Sequence, residues 1–285
     1  MIMKKKIIKK KKNKIHFFYS NLEKSFWKRL ILRILSSHSF TFIFSLYFKT
    51  FISKIHIQKI VKQEKMNLRL FEKQKFTSYN DFFTRKYKKI GFCKEAEIFI
   101  SPGEGFISIY PILPYSIYLI KNTKYHLSDF LKNNNLALNY NQGYIIVLRL
   151  APTHYHRYIF VDNGIISHPS VKIKGKFHTV QPIAFNYYNV FHENSREYII
   201  LDTQNFGQII QAEVGALLVG KINNHSIKNF HKGEEKGFFS IGGSTIILLV
   251  KPNKVKFEPY ILKKTQENIE TKVNIGNKIG TKIIY

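Results

Sequence analysis

Residues 238–250 read FFSIGGSTIILLV. Two glycines and then Ser244-Thr245 separate two runs rich in aromatic and β-branched residues, the composition of strands. A plain hairpin turn is one reading of the glycine pair, because glycine adopts backbone angles closed to other residues. A bond built to break is another. The nucleophile elbow of hydrolases is excluded: G-x-S-x-G requires a trailing glycine and a following helix, whereas Gly242-Gly243-Ser244-Thr245 runs on into a strand.

Upstream of this stretch the same character persists. From about Ile98 onward short β-rich runs dominate: GFISIYPI, YIIVLRLA, HRYIFVD, REYIILDT and GQIIQAEVGALLVGKI. Gly, Asn and Pro punctuate them, as expected for an antiparallel sheet domain. Residues 58–90 read as helical or irregular and end in FTSYNDFFTRKYKK. No internal repeat, Gly/Ser linker or phosphate-loop signature interrupts the chain. The segment after about Lys263 is polar and is expected to be a loosely ordered tail. The 285 residues, 44% hydrophobic, suffice for a sizeable core.

The formal net charge of +28 is the compositional outlier. It is carried mostly by lysine, and residues 1–65 hold 17 basic residues against only Glu23 and Glu64. Such a field favours an anionic partner. The segment after the lysines selects which one. Residues 26–57, FWKRLILRILSSHSFTFIFSLYFKTFISKIHI, are apolar and aromatic with basic residues interspersed. The uncharged run 34–48 is 15 residues long, and a membrane-spanning helix needs about 20. A basic, aromatic, amphipathic segment of this kind lies in the membrane interface. Nucleic-acid binding is excluded as the main role, because the basic cluster is Lys-rich and adjoins an apolar segment rather than basic strands with interleaved aromatics. A signal peptide is not expected, since no small-residue cleavage site succeeds a compact apolar core. The single cysteine, Cys93, cannot form an intramolecular disulfide.

Candidate site residues are individually weak. LAPTHYHRYIFVDNG places His154 and His156 on one face of a strand, but no third ligand with convincing spacing suggests a metal. SPGEGFIS sets Glu104 between two glycines, and KGEEKGFFSIGGST carries Glu234-Glu235 ahead of the glycine pair. Each alone reads as a turn.

The order SYNDFFTRK, SPGEG, PTHYHRY, NSREYIILDT, EVGALLVGKI and KGEEKGFFSIGGST is more specific. Over residues 76–255 it resembles the phosphatidylserine decarboxylase family, whose members are made as proenzymes. The resemblance implies self-cleavage between Gly243 and Ser244, giving a β chain 1–243 and an α chain 244–285 that remain associated. It implies a pyruvoyl cofactor derived from Ser244, which forms a Schiff base with the amine of the lipid head group. It implies phosphatidylethanolamine and carbon dioxide as products, and a homodimer is compatible with it. The expected partners are phosphatidylserine and an anionic phospholipid membrane, bound peripherally through the basic N-terminal region.

The sequence departs from the family pattern at two places. Glu104 stands where an aspartate is usual, and Ile159 stands where many members carry a second histidine. His156 remains, and KFHTVQP offers His178, so the proton-handling role falls to His156 with His178 as the alternative. Glu104 is the implied orienting carboxylate. If these departures abolish cleavage, the chain is an uncut homologue acting only as a membrane-binding protein. The expected fold is α+β, with N-terminal membrane-associated helices preceding a mainly antiparallel β-rich catalytic domain. The expected divisions are 1–65 (basic, amphipathic, helical), 66–263 (catalytic) and 264–285 (polar tail).

Overall fold

The computed structural model describes residues 25–120, 123–179, 190–216, 221–241 and 244–284. The lysine cluster of residues 1–14 and Gly243, at the expected cleavage site, lie outside the described residues. The fold is α+β, with helices concentrated toward the N-terminus and a large antiparallel sheet after them.

Helix α1 spans Phe26–Leu35 and α2 spans His38–Lys49. Serines set their boundaries: Ser25 Oγ accepts from Lys28 N, and Ser37 Oγ accepts from Phe40 N, each satisfying a donor that a helix N-terminus leaves unpaired. The Ser36-Ser37 pair therefore breaks the long apolar run, and the two helices meet at a 58° bend. No single helix among the described residues is long and apolar enough to cross a membrane. A 3-10 turn at Phe51–Lys54 leads into α3, Ile55–Glu64. The short α4, Tyr79–Phe83, is capped by Ser78 and buries Tyr79, Phe82 and Phe83. Ser53 Oγ accepts from Tyr79 N at 2.9 Å, so the N-terminal helices are joined to the rest through a buried hydrogen bond.

The strands are β1 (Ile98–Ile100), β2 (Gly105–Leu113), β3 (Ile117–Ile120), β4 (Thr123–His126), β5 (Tyr144–Leu150), β6 (Arg157–Ile159), β7 (Gly164–Ile166), β8 (Val171–Ile173), β9 (Arg196–Thr203), β10 (Gly207–Gly215), β11 (Lys221–Asn224), β12 (Asn229–Phe230), β13 (Glu235–Ser240), β14 (Ser244–Val250), β15 (Val255–Phe257), β16 (Thr271–Val273) and β17 (Lys278–Lys282). Between β4 and β5 lie α5 (Leu127–Leu131) and α6 (Asn134–Leu138), before β9 lies α7 (Val190–Glu193), and after β15 lies α8 (Pro259–Gln266). The main sheet runs β12-β7-β9-β10-β14-β5-β2-β3-β4, with β8 added at β9 and β16 at β2. Two three-stranded sheets, β11-β13-β6 and β1-β17-β15, complete the architecture. Every residue of β14 is buried, which is why STIILLV is apolar on both faces instead of alternating.

The opening stretch is not a hairpin. β13 pairs with β11 and β6, whereas β14 pairs with β10 and β5. Ser240 and Ser244 thus end and begin strands of two different sheets, and the glycine pair joins them. Ile241 has φ 31°, a left-handed conformation that a β-branched residue adopts only at a cost of about 1–3 kcal/mol. Strain is stored two residues before Gly243.

The C-terminal segment also departs from expectation. In place of a loose tail, it finishes α8 and supplies β16 and β17, which pair with β2, β1 and β15. Thr265 Oγ1 accepts from Ile109 N, and Ile275 and Ile279 are buried. The cue was the alternation of Ile and Val with polar residues in TKVNIGNKIGTKI, masked in the composition by its lysines and asparagines.

Candidate active site

Ser244 opens the central strand β14 and sits between the ends of two others, opposite Leu150 of β5 and Gly215 of β10. It is fully buried, and its Oγ has no hydrogen-bond partner among the described residues. A buried hydroxyl left unpaired costs about 1–3 kcal/mol, so its isolation asks for a functional reason. Gly215 opposite it packs closely on Phe177: a Cβ there would stand 3.0 Å from the ring, which would have to shift by a few tenths of an ångström to make room.

Asn194 links this strand end to His178. Its Nδ2 donates to Gly215 O and to His178 O, both at 2.8 Å, and its Oδ1 accepts from His178 N at 2.8 Å. Completely buried, Asn194 fixes the histidine's backbone beside the residue that faces Ser244. The His178 ring reaches Glu193, with Nε2 at 3.1 Å from Oε2. Burial lowers the His178 pKa from its usual value while Glu193 opposes that shift. Glu193 is itself held low by Lys176 and His178 against the effect of its partial burial. A neutral imidazole paired with a carboxylate is the arrangement of a general base.

His156 is placed differently. Its ring stacks on Phe83 with centroids 3.7 Å apart, and neither ring nitrogen has a hydrogen-bond partner among the described residues. Burial, with Arg85 and His154 nearby, pushes its pKa well below the usual value. Its carbonyl accepts from Phe239 N, which ties it to β13 just ahead of the strained Ile241. His154 is a turn residue whose Nδ1 accepts from Ala151 N; burial and neighbouring cations bring its pKa to about 4.

Glu104 lies just beyond the end of β1 and is half-buried. It accepts from Tyr87 Oη at 3.2 Å and faces the Arg85 guanidinium electrostatically. No hydrogen bond joins Glu104 to His156 among the described residues. The carboxylate lies instead in a shell built by the SYNDFFTRK segment: Arg85 donates to Thr153 O and His154 O, and Arg157 donates to Thr84 O and Arg85 O. Two of the quoted motifs thus interlock.

Sequence reasoning passed over three features of this site. Glu193 and Asn194 flank the helix-to-strand junction before REYIILDT, where nothing in the local pattern marks them. The third is a buried ion pair, with Lys236 Nζ 2.6 Å from Glu213 Oε2. Asn224 and Gln211 also donate to Glu213. Burial raises the Glu213 pKa and lowers that of Lys236, each opposed by the other. Glu213 faces Ile246, two residues along β14 from Ser244. Its signal was available, since a lone carboxylate in the apolar run QAEVGALLVG needs a buried partner. No cluster of three or more His, Cys, Asp or Glu among the described residues is arranged to hold a metal.

The comparisons with known proteins identify the family. The family model for phosphatidylserine decarboxylase matches residues 79–281. A phosphatidylserine decarboxylase proenzyme 2 of Clostridium acetobutylicum is 40% identical over 273 residues, covering 95% of this chain and 92% of its own. A phosphatidylserine decarboxylase proenzyme of Clostridium botulinum, strain Hall, is 40% identical over 85% of both chains. Another, from strain Alaska E43, is 43% identical over 73% of this chain and 72% of its own. A buried serine at a strained sheet-to-sheet junction, with proenzymes as relatives along nearly the whole length, places the chain in the phosphatidylserine decarboxylase family of carboxy-lyases.

Proposed function

We propose that the chain cuts itself between Gly243 and Ser244 and then converts phosphatidylserine to phosphatidylethanolamine and carbon dioxide at a membrane surface. The observation that carries this reading is the buried Ser244 Oγ at the start of β14, without a hydrogen-bond partner among the described residues and shortly after the strained Ile241. In the first step Ser244 Oγ adds to the Gly243 carbonyl carbon, and the peptide C–N bond gives way to an ester. Loss of the Ser244 Cα proton then expels the Gly243 carboxylate and leaves a dehydroalanine. Water converts this to a ketone and releases ammonia. A base must take the hydroxyl proton. His178 supports that role best, being neutral, paired with Glu193 and anchored through Asn194 to the residue facing Ser244. His156 is the second candidate.

The resulting group suits its surroundings, because it is made in place from a residue that three strands already hold rigidly. A pyruvoyl group supplies an electron sink for decarboxylation of an amine-bearing substrate. The chain's own residues exclude water around it: β14 is wholly buried, Leu150 opposite Ser244 is buried, and so is the Ile246–Leu148 pair two residues further along.

The membrane role is supported by the N-terminal helices. Trp27, Phe42, Ile43, Phe51 and Ile55 are all more than 60% exposed, an apolar surface that lipid would cover. The functional test is release of labelled carbon dioxide from carboxyl-labelled phosphatidylserine in vesicles. Wild type is expected to release it and Ser244→Ala to release none; an inactive wild type would overturn the reading.

A further inference from the structure

A cavity of about 520 Å³ lies between α1 and the segment that carries His178. Among the described residues it is lined by Arg29, Arg33, Lys176 and His178, with His38 and Gly175 at its wall. Its size falls in the range of small-molecule sites. Its sidedness comes from helix geometry. Arg29 and Arg33 are four residues apart and share one face of α1. Trp27, Ile31 and Ile34 share another face, roughly opposite, and all three are exposed. One side of α1 is therefore suited to lipid and the other turns cations toward the cavity.

The far wall is rigidly placed. His38 Nε2 lies 2.7 Å from Gly175 O, and Phe177 N donates to Ser36 O. These contacts fasten the 175–178 segment to the junction of α1 and α2. Lys176 Nζ and His178 Nε2 both approach Glu193 Oε2, at 3.2 and 3.1 Å. The ammonium group is thus brought next to the imidazole, with Glu193 Oε2 within reach of both. Three cationic side chains around a cavity walled by a helix whose other face is apolar match a ligand with a strong anion at its centre and acyl chains at one end.

We propose that this cavity binds the phosphodiester of the lipid substrate's head group, with Arg29 and Arg33 holding its oxygens and Lys176 adding charge beside His178. The proposal rests on the decarboxylase reading and goes beyond it by assigning residues to head-group recognition. Guanidinium groups suit this task because their planar forks bond two oxygens at once. The distance from the apolar face of α1 to the cavity is the width of one helix, so a lipid can keep its chains in the membrane while its head group enters.

Arg33→Gln and the Arg29→Gln/Arg33→Gln pair test this with two substrates, monomeric dihexanoyl-phosphatidylserine and phosphatidylserine vesicles. Self-cleavage is expected to stay complete. KM for the monomeric substrate is expected to rise about tenfold for the single variant, as for loss of a charged hydrogen bond, and further for the pair, with kcat within about twofold. Arg33→Lys should recover part of the loss. An unchanged KM for the monomeric substrate, with weakening confined to vesicles, would overturn the proposal, because the arginines would then serve only the membrane surface. A second arm needs no variant: mature wild type is treated with phenylglyoxal and its modified arginines are mapped by peptide mass. Glycerophosphoserine is expected to protect Arg29 and Arg33. Equal labelling with and without it, or equal protection by inorganic phosphate at the same concentration, would overturn head-group binding there. Failure of wild type to release carbon dioxide defeats the decarboxylase reading instead, and the labelling arm still reports on the cavity.

Discussion

At the level of single residues, the proposed chemistry falls on Ser244 and on one of two histidines, His156 or His178. Ser244 was readable as a candidate nucleophile only through the ordered motifs that resemble the family, since Gly-Ser between two strand-like runs reads equally as a turn. The base was less readable. His156 sits in the more conspicuous motif, yet its ring is packed against Phe83 with no hydrogen-bond partner among the described residues. His178 acquires its carboxylate from Glu193, 15 positions away, a pairing that only the folded chain creates. His178→Gln should therefore slow self-cleavage by about 10²-fold or more, the usual weight of a general base, with Glu193→Gln giving a smaller loss. Time courses of chain cutting on gels would measure this; full-speed cutting in His178→Gln would transfer the role to His156. The pH dependence has a definite sign. A base works when deprotonated, and burial lowers the His178 pKa below its usual value. The cutting rate should thus be flat near pH 7 and fall only on acidification below about 6.5.

Strands and their pairings carry the next set of consequences. β-rich runs were legible from composition, but which strands pair was not, because pairing depends on distant register rather than local pattern. A hairpin turn was one of two readings of the glycine pair, and the strands on either side of it belong to two different sheets. The polar C-terminal segment looked like a tail and proved to be three elements of the core. That second result bears on the mature enzyme. Residues 244–285 place β14 between β10 and β5, β16 on β2, and β17 beside β1. After cutting, the two chains should co-elute in gel filtration and part only in denaturant; separation in plain buffer would contradict this arrangement. The Glu213–Lys236 pair, which bridges β10 and β13, sets a stability test. Lys236→Met leaves a buried carboxylate without its cation and should cost about 3–5 kcal/mol. A Glu213→Met/Lys236→Met double variant should recover most of that loss, since an apolar pair of similar volume leaves no buried charge. Urea unfolding in a Ser244→Ala background measures both on a single uncut chain. Equal destabilisation in the single and double variants would show that the pair is not coupled.

At the scale of the whole molecule, the resemblance carried by six ordered motifs fixed the family, and the charge asymmetry pointed to an anionic partner. Neither disclosed how the N-terminal helices relate to the catalytic centre. In the structure the junction of α1 and α2 is fastened to the 175–178 segment, and Ser53 to α4, so the cationic face of α1 and the candidate base His178 line one cavity while the exposed apolar face of α1 lies on the helix's other side. Coupling of that kind joins residues more than 130 positions apart, and no sequence pattern specifies it. The substitution of Glu104 for the usual aspartate and the absence of a second histidine at Ile159 leave the central claim, self-cleavage at Ser244, open to direct test. The measurement is the intact mass of freshly purified wild-type protein under denaturing conditions. Two species are predicted: one ending at Gly243, and one comprising residues 244–285 with a pyruvoyl mass at its N-terminus. A single full-length mass, persisting after incubation with anionic vesicles, would contradict self-cleavage and leave an uncut membrane-binding homologue.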